Sequence, residues 1–152
     1  MTGDFSLRLE GLAEVQTALR ELLPDRTARN VMKRVLTKQA KLVMTSAQEK
    51  AAVRTQQLRK SIKVGKLSAR QRAQHRRVDP NDVEVFVGAG VLPQAHLIEY
   101  GSSKITAQPF MRPAWDENKT KIVESIKADM WEEIRKAAER AARKAAKRAA
   151  AG

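Results

Sequence analysis

The chain has 152 residues, no cysteine, and 30 Lys and Arg against 17 Asp and Glu, a formal charge of +13. That length holds one modest core, and the missing cysteine excludes disulfides, thiolate metal sites and a Cys nucleophile. The charge favours nucleic acid or an acidic protein surface as partner, with a merely solvated basic surface as the competing reading.

Taken in order, Phe5, Leu7 and Leu9 alternate with Ser6, Arg8 and Glu10, which predicts a short half-buried strand. These first residues carry Asp4 and Glu10 and no apolar core, so no secretory leader is expected. After Gly11, residues Leu12, Val15, Ala18, Leu19 and Leu22 fall at helical spacing, and Pro24 ends that helix. Asp25 is the expected N-cap of the next one. It runs to about Gln48, with Met32, Leu36, Ala40, Val43 and Ala47 as a stripe and Val31 and Val35 beside it. A stripe that wide predicts burial against both a sheet and a neighbouring helix.

The helical pattern stops around Ala52. Ile62 and Val64 flank Lys63, Gly65 interrupts, and Leu67 resumes, which predicts a strand with a bulge or bend. Val83, Val85 and Val87 alternate with Glu84 and Phe86 in a second strand, closed by Gly88-Ala89-Gly90. Together they make a hairpin whose tip, residues 68–82, is rich in Arg and Gln and turns at Asp79-Pro80-Asn81. Loops of that length carry function or lack fixed structure.

Residues 93–100 predict a short helix stopped by Gly101. Residues 105–110 read as extended, with Pro109 and Pro113 restricting the backbone around Phe110, Met111 and Arg112. In the final helix Ile122, Ile126, Met130 and Ile134 recur every four residues, with Val123 and Trp131 on the flank. From Ala137 onward alanine pairs alternate with charged pairs. Such a sequence propagates a helix well but offers little apolar area to hold it down, so it projects, packs on another subunit, or frays.

The expected fold class is α+β: a small antiparallel sheet with a long-tipped hairpin, packed against amphipathic helices, and a long C-terminal helix. Three to four strands are expected. One domain covers residues 1–134, and residues 135–152 form a basic, Ala-rich helical extension. No stretch approaches the roughly 18–20 apolar residues of a membrane helix, so no membrane is expected as partner; a soluble protein made in the cytoplasm follows.

The charge is unevenly placed. Residues 50–77 hold Lys50, Arg54, Arg59, Lys60, Lys63, Lys66, Arg70, Arg72, Arg76 and Arg77 and no acid. Residues 130–152 hold Arg135, Lys136, Arg140, Arg143, Lys144, Lys147 and Arg148 against Glu132, Glu133 and Glu139. The stretch between them is mildly acidic. Aromatic residues make up only 4% of the chain, which poorly supplies stacking on single strands. What remains is sequence-independent attraction to phosphate. Lys63, Lys66, Arg70, Arg72, Arg76 and Arg77 are therefore the candidate lining of a DNA channel, or else a grip on acidic partner proteins.

No catalytic constellation is visible, and neither cofactor nor metal is expected. His75 and His96 are about twenty residues apart and lack the spacing of a zinc-binding pair. His96 and Glu99 have the chemistry for acid–base work, but without a nucleophile or third ligand a packed or hydrogen-bonded pair is the stronger reading. Gly88-Ala89-Gly90 resembles half of a dinucleotide loop, lacking the third glycine. Asp79 and Asp82 have the chemistry to bind a cation, with a turn cap as the stronger reading. The expected protein is not an enzyme.

Leu97-Ile98-Glu99-Tyr100-Gly101, a polar linker, and then Ala107-Gln-Pro-Phe-Met-Arg-Pro-Ala114 resemble the signature of the tail-completion (neck) protein family of long-tailed bacteriophages, related to minor tail protein Z. Thr55-Gln-Gln-Leu-Arg-Lys-Ser-Ile62 resembles that family's Thr-Gly-x-Leu-Arg-x-Ser-Ile element, with Gln56 in place of the glycine. Leu9-Glu-Gly-Leu12 before an amphipathic helix also fits. The Ala/Arg/Lys tail is no part of the signature.

The resemblance implies a homo-oligomeric ring, a hexamer, at the head–tail junction, assembled in the host cytoplasm and carried in the virion. Its lumen would pass genomic double-stranded DNA. Its faces would dock the head connector or adaptor and the tail terminator or tail tube proteins. Glu99, Tyr100, Gln108, Phe110, Met111 and Arg112 are the candidate subunit or partner interface, with Glu99 as the carboxylate that Arg112 reaches. Phe110 and Met111 fill either a partner's pocket or the chain's own core. The competing class is a sequence-independent double-stranded DNA-binding protein.

Overall fold

In the computed structural model, residues 13–51, 56–65, 83–90, 92 and 94–151 are described. In chain order they form α1 (Ala13–Leu22), α2 (Asp25–Lys50), α3 (Gln56–Ser61), β1 (Lys63–Gly65), β2 (Phe86–Gly88), α4 (Gln94–Tyr100) and α5 (Met111–Ala150). The fold is α+β, mostly helical, with a two-stranded antiparallel sheet and a long C-terminal helix. The strand expected over Phe5, Leu7 and Leu9 and the hairpin tip, residues 68–82, lie outside the described residues.

The frame is an antiparallel pair, α2 against α5. On α2 the buried seam is Val31, Val35, Gln39, Val43 and Ala47, and on α5 it is Ile122, Ile126, Met130 and Ile134. Both step by four residues, so each seam stays on one side of its helix. Ion pairs fix the register along the edge: Arg34 to Glu133 at 2.7 Å, Lys38 to Asp129 at 2.7 Å and Lys50 to Glu117 at 2.8 Å. Partners on α5 fall from 133 to 117 as those on α2 rise from 34 to 50.

Gln39 sits in the middle of this seam, where the sequence pattern places an apolar stripe centred on Leu36 and Ala40. Its Nε2 donates to Asp129 Oδ2 at 2.6 Å while Lys38 Nζ donates to Oδ1 at 2.7 Å. One carboxylate thus ties two successive α2 residues to α5. That hydrogen bond is also the main reason the Lys38 ammonium is held above its ordinary pKa.

Asp25 is not the N-cap. It is the first residue of α2, and the cap position is Pro24, at φ −57° and ψ 143° and without a side-chain cap bond. The Pro24 carbonyl accepts from the N–H groups of Thr27 and Ala28 at 2.8 and 3.0 Å, and Asp25 in the first turn suits the positive end of the helix dipole. On α1 and just past its end, Val15, Leu19 and Leu23 are buried. Leu22 stays exposed, beside Trp131 of α5. Leu22 was expected inside.

At the other end of α2, a helix that apolar spacing does not announce, α3, connects to the sheet. Leu58 and Ile62 are buried. Arg59 Nε donates to the carbonyl of Gln48 at 2.8 Å, satisfying one of the last four carbonyls of α2 with a cation at the negative end of the dipole. Gln48 Nε2 in turn donates to the Ile62 carbonyl at 2.9 Å, and Ser61 Oγ to the Leu58 carbonyl at 2.6 Å. The Leu-Arg-x-Ser-Ile pattern is therefore a splice: two core anchors, a helix C-cap and a turn bond.

β1 and β2 pair with Lys63 opposite Gly88, Val64 opposite Val87 and Gly65 opposite Phe86. The second strand is shorter than expected, since residues 83–85 take no regular structure. Among the described residues the sheet has two strands rather than three or four. α5 continues without a break past Ile134. Ala137 is its last buried residue, and residues 139–151 are all exposed. At 1.5 Å per residue that is roughly 18 Å of projecting helix.

Candidate functional site

The segment from α4 to the start of α5 is built around one carboxylate. Glu99 is 4% exposed, on the inner side of the seven-residue α4. Its Oε2 accepts the N–H groups of Phe110 and Met111 at 2.8 and 2.9 Å, and its Oε1 accepts the N–H of Arg112 at 3.0 Å. Arg112 Nε also donates to Oε1 at 3.4 Å, and Arg112 Nη2 to the Glu99 carbonyl at 3.4 Å.

The first four backbone donors of any α-helix lack partners within it. In α5 the cap residue is Phe110, whose side chain has nothing to offer them, and no side-chain cap bond is made locally. Glu99 takes the first three donors. The fourth position is Pro113, which has no N–H and tolerates the first turn. The whole orphan set is thus answered by one remote carboxylate and one proline, with the negative charge at the favourable end of the dipole.

Gly101 makes the reach possible. Its φ is +77°, and a Cβ there would lie 2.9 Å from Ala107 N and 3.0 Å from Ile105 O. The chain reverses after α4: Gly101 N donates to Leu97 O at 2.8 Å, Ser102 and Ile105 bond each other, and Gln108 N donates to Ile98 O at 2.8 Å. That last bond brings Pro109 and Phe110 back alongside α4, within range of Glu99. Phe110 is 1% exposed, in the chain's own core. Of the two readings open for this side chain, the core is where it lies, because the cap pulls its backbone inward. Met111 is partly buried against the same core.

What the block shows to solvent is different. Residues 102–109 are all exposed, and Tyr100 and Ile105 are the exposed large apolar side chains here. The Arg112 guanidinium stands 5.0 Å from the centroid of the Tyr100 ring, a cation–π distance. Gln108 is exposed beside them. The six candidate interface residues are therefore split: Glu99 and Phe110 build the scaffold, Met111 is half-covered, and Tyr100, Gln108 and Arg112 face outward.

The sequence fits, over residues 13–101, the family described as "Bacteriophage HK97-gp10, putative tail-component". The chain belongs to this phage tail-component family. No curated protein and no solved structure matches it. The HK97-gp10-like span takes in the Leu-Arg-Lys-Ser-Ile splice and ends at Gly101, just after the capping glutamate. The Gln-Pro-Phe-Met-Arg-Pro block that Glu99 caps lies beyond it.

The remaining candidate residues of this HK97-gp10-like chain are placed as follows. Lys63 is exposed on β1. Lys66, Arg70, Arg72, Arg76 and Arg77 lie outside the described residues, as do Asp79 and Asp82. His96 is exposed and is not among the partners of Glu99, so no acid–base pair forms there. Gly88-Ala89-Gly90 is the exit from β2 and a turn toward α4, with Gly90 at φ +62°. Among the described residues no group of three or more His, Asp or Glu side chains is placed to hold a metal ion. No helix among them is long and apolar enough to cross a membrane.

The capping role of Glu99 is what the sequence reading missed, having assigned it to the Arg112 side chain alone. A signal was present. The last helix opens Pro-Phe-Met-Arg-Pro, with no Ser, Thr, Asp or Asn to cap it, so its acceptor had to come from elsewhere.

Proposed function

We propose that this tail component is a structural, non-catalytic part of the phage neck: a homo-oligomeric ring, a hexamer, at the head–tail junction. The observation that carries the reading is membership of the HK97-gp10-like tail-component family over residues 13–101, from α1 through α4. In this reading the capped turn is the docking element. Tyr100, Ile105, Gln108 and Arg112 stand on a rigid base fixed by Glu99, and aromatic and arginine side chains are the types that anchor interfaces. Their partners are a neighbouring subunit, the head connector or adaptor, and the tail terminator or tube.

Genomic double-stranded DNA passes through the lumen, with Lys63 and the basic residues Lys66, Arg70, Arg72, Arg76 and Arg77 toward it. Residues 1–134 form the ring body and residues 135–152 a basic helical extension. Assembly takes place in the host cytoplasm and the product resides in the virion.

Light scattering across a concentration series, with and without duplex DNA, tests this. A particle of six chain masses, formed without DNA, is the expected result. A chain that stays monomeric at every concentration and coats duplex tightly at physiological salt refutes the ring and supports a general DNA-binding protein.

A further inference from the structure

Between Asp25 and Glu49, α2 holds no acidic residue and six basic ones: Arg26, Arg29, Lys33, Arg34, Lys38 and Lys41. Its inner seam is occupied by Val31, Val35, Gln39, Val43 and Ala47. The opposite side is a shallow surface lined by Asn30, Lys33, Arg34, Thr37, Lys38 and Lys41, four cations with an amide and a hydroxyl. No carboxylate and no apolar side chain lines it.

The carboxylates that approach come from α5, and they are already matched. Glu133 pairs with Arg34 and Asp129 with Lys38, while Glu132 pairs with Lys136. Arg26, Lys33 and Lys41 are exposed and form no ion pair among the described residues. They are seven and eight residues apart, close to two helical turns each, so they share one side of the helix. From Arg26 to Lys41 the track is roughly 22 Å long.

The chemistry of this face selects its partner. A protein interface needs desolvated apolar or aromatic anchors, and the face has none. Single-stranded nucleic acid needs stacking platforms, equally missing. Contact with the phosphates of a duplex needs only cations, released counterions and a few hydrogen-bonding groups such as Asn30.

We propose that the outer face of α2 is a sequence-independent contact for the phosphates of duplex DNA, made by Arg26, Lys33 and Lys41. The proposal rests on the reading of the chain as a neck component that meets the genome, and it adds a contact on a helix to the basic segment up to Arg77. With no base-reading geometry, the contact is weak enough at physiological salt for DNA to slide over it.

Anisotropy of a fluorescent duplex, titrated with the full chain over a series of salt concentrations, tests the assignment. The variants are Arg26→Gln/Lys33→Gln/Lys41→Gln together, Lys33→Glu alone, and a set with Lys63, Lys66, Arg70, Arg72, Arg76 and Arg77 changed to Gln. Each phosphate contact contributes about 0.9 to the slope of log affinity against log salt. The α2 triple variant should therefore be flatter by about 2.7, so that its loss of affinity between about 50 and 200 mM salt is about 40-fold smaller than for the wild type. Lys33→Glu should flatten the slope by about 1 or more, and two unrelated duplex sequences should bind equally.

A wild-type slope in the triple variant overturns the proposal, as does failure of the wild type to bind duplex at low salt. Binding of polyglutamate at least as tight as duplex overturns it in favour of an acidic protein partner. Light scattering on the same samples keeps the two readings apart. Rings that ignore DNA refute the α2 contact and leave the neck reading standing, whereas α2-dependent binding by a permanent monomer keeps the contact and counts against the ring.

Discussion

Glu99→Gln isolates the remote cap, because it keeps the shape and one acceptor while removing the charge. The surviving amide oxygen can still serve Phe110 and Met111, which share Oε2. The amide nitrogen then faces the N–H of Arg112, donor against donor, where Oε1 had accepted at 3.0 Å. Losing that charge-assisted bond costs about 1.5–2 kcal/mol. The two remaining bonds weaken to neutral strength, about 0.5 kcal/mol each. Removing an anion from a partly buried helix N-terminus takes about 0.5–1 kcal/mol more. The variant should be destabilised by about 3–4 kcal/mol. With a urea dependence of about 2 kcal/mol per molar, the midpoint falls by about 1.5–2 M at an unchanged slope. Amide hydrogen exchange at Phe110, Met111 and Arg112 should accelerate with it. A loss below about 0.5 kcal/mol would mean the three donors find water as readily as carboxylate, and the argument from the cap fails.

Two further changes probe the same block. Phe110→Ala empties a fully buried site and should cost about 3–5 kcal/mol in urea or thermal unfolding; wild-type stability with altered subunit association would return Phe110 to an interface. Gly101→Ala forces a side chain into left-handed backbone against the backbone of Ala107 and Ile105. It should lose at least about 2 kcal/mol, lowering the melting temperature by roughly 4–8 °C, and an unchanged melting curve would refute the close approach.

The helices were legible wherever large apolar residues step by three and four. Ile122, Ile126, Met130 and Ile134 are buried as their spacing predicts, and the stop signals Pro24 and Gly101 act where they stand. The pattern failed where local rules were overridden by distant partners. Asp25 looks like a cap, but Pro24 already occupies that position with extended backbone. Gln39 stands outside the stripe read from Leu36 and Ala40, yet it is buried because Asp129 lies ninety residues away to receive it. α3 has too few apolar residues to show a period; it is held by Leu58 and by the grip of Arg59 on the end of α2. In the candidate site, the residue types were legible and their roles were not. Phe110 and Arg112 are two residues apart and both give their N–H to Glu99, yet one side chain is core and the other surface, because two residues are about 200° apart around a helix.

The two ends of α5 are stopped in unlike ways, and this bears on the order in which it forms. The alanine-rich stretch beyond Ala137 has the strongest intrinsic helix preference in the chain, so winding begins most readily there and spreads toward the N-terminus at little cost per residue. It halts at Pro113, whose ring conflicts with helical continuation past the carbonyl of Pro109. The boundary is thus drawn by covalent structure as well as by tertiary contact, and Glu99 fastens an end that Pro113 already marks. A segment with no core of its own in this chain therefore carries the sequence that most favours winding of the main strut of the fold.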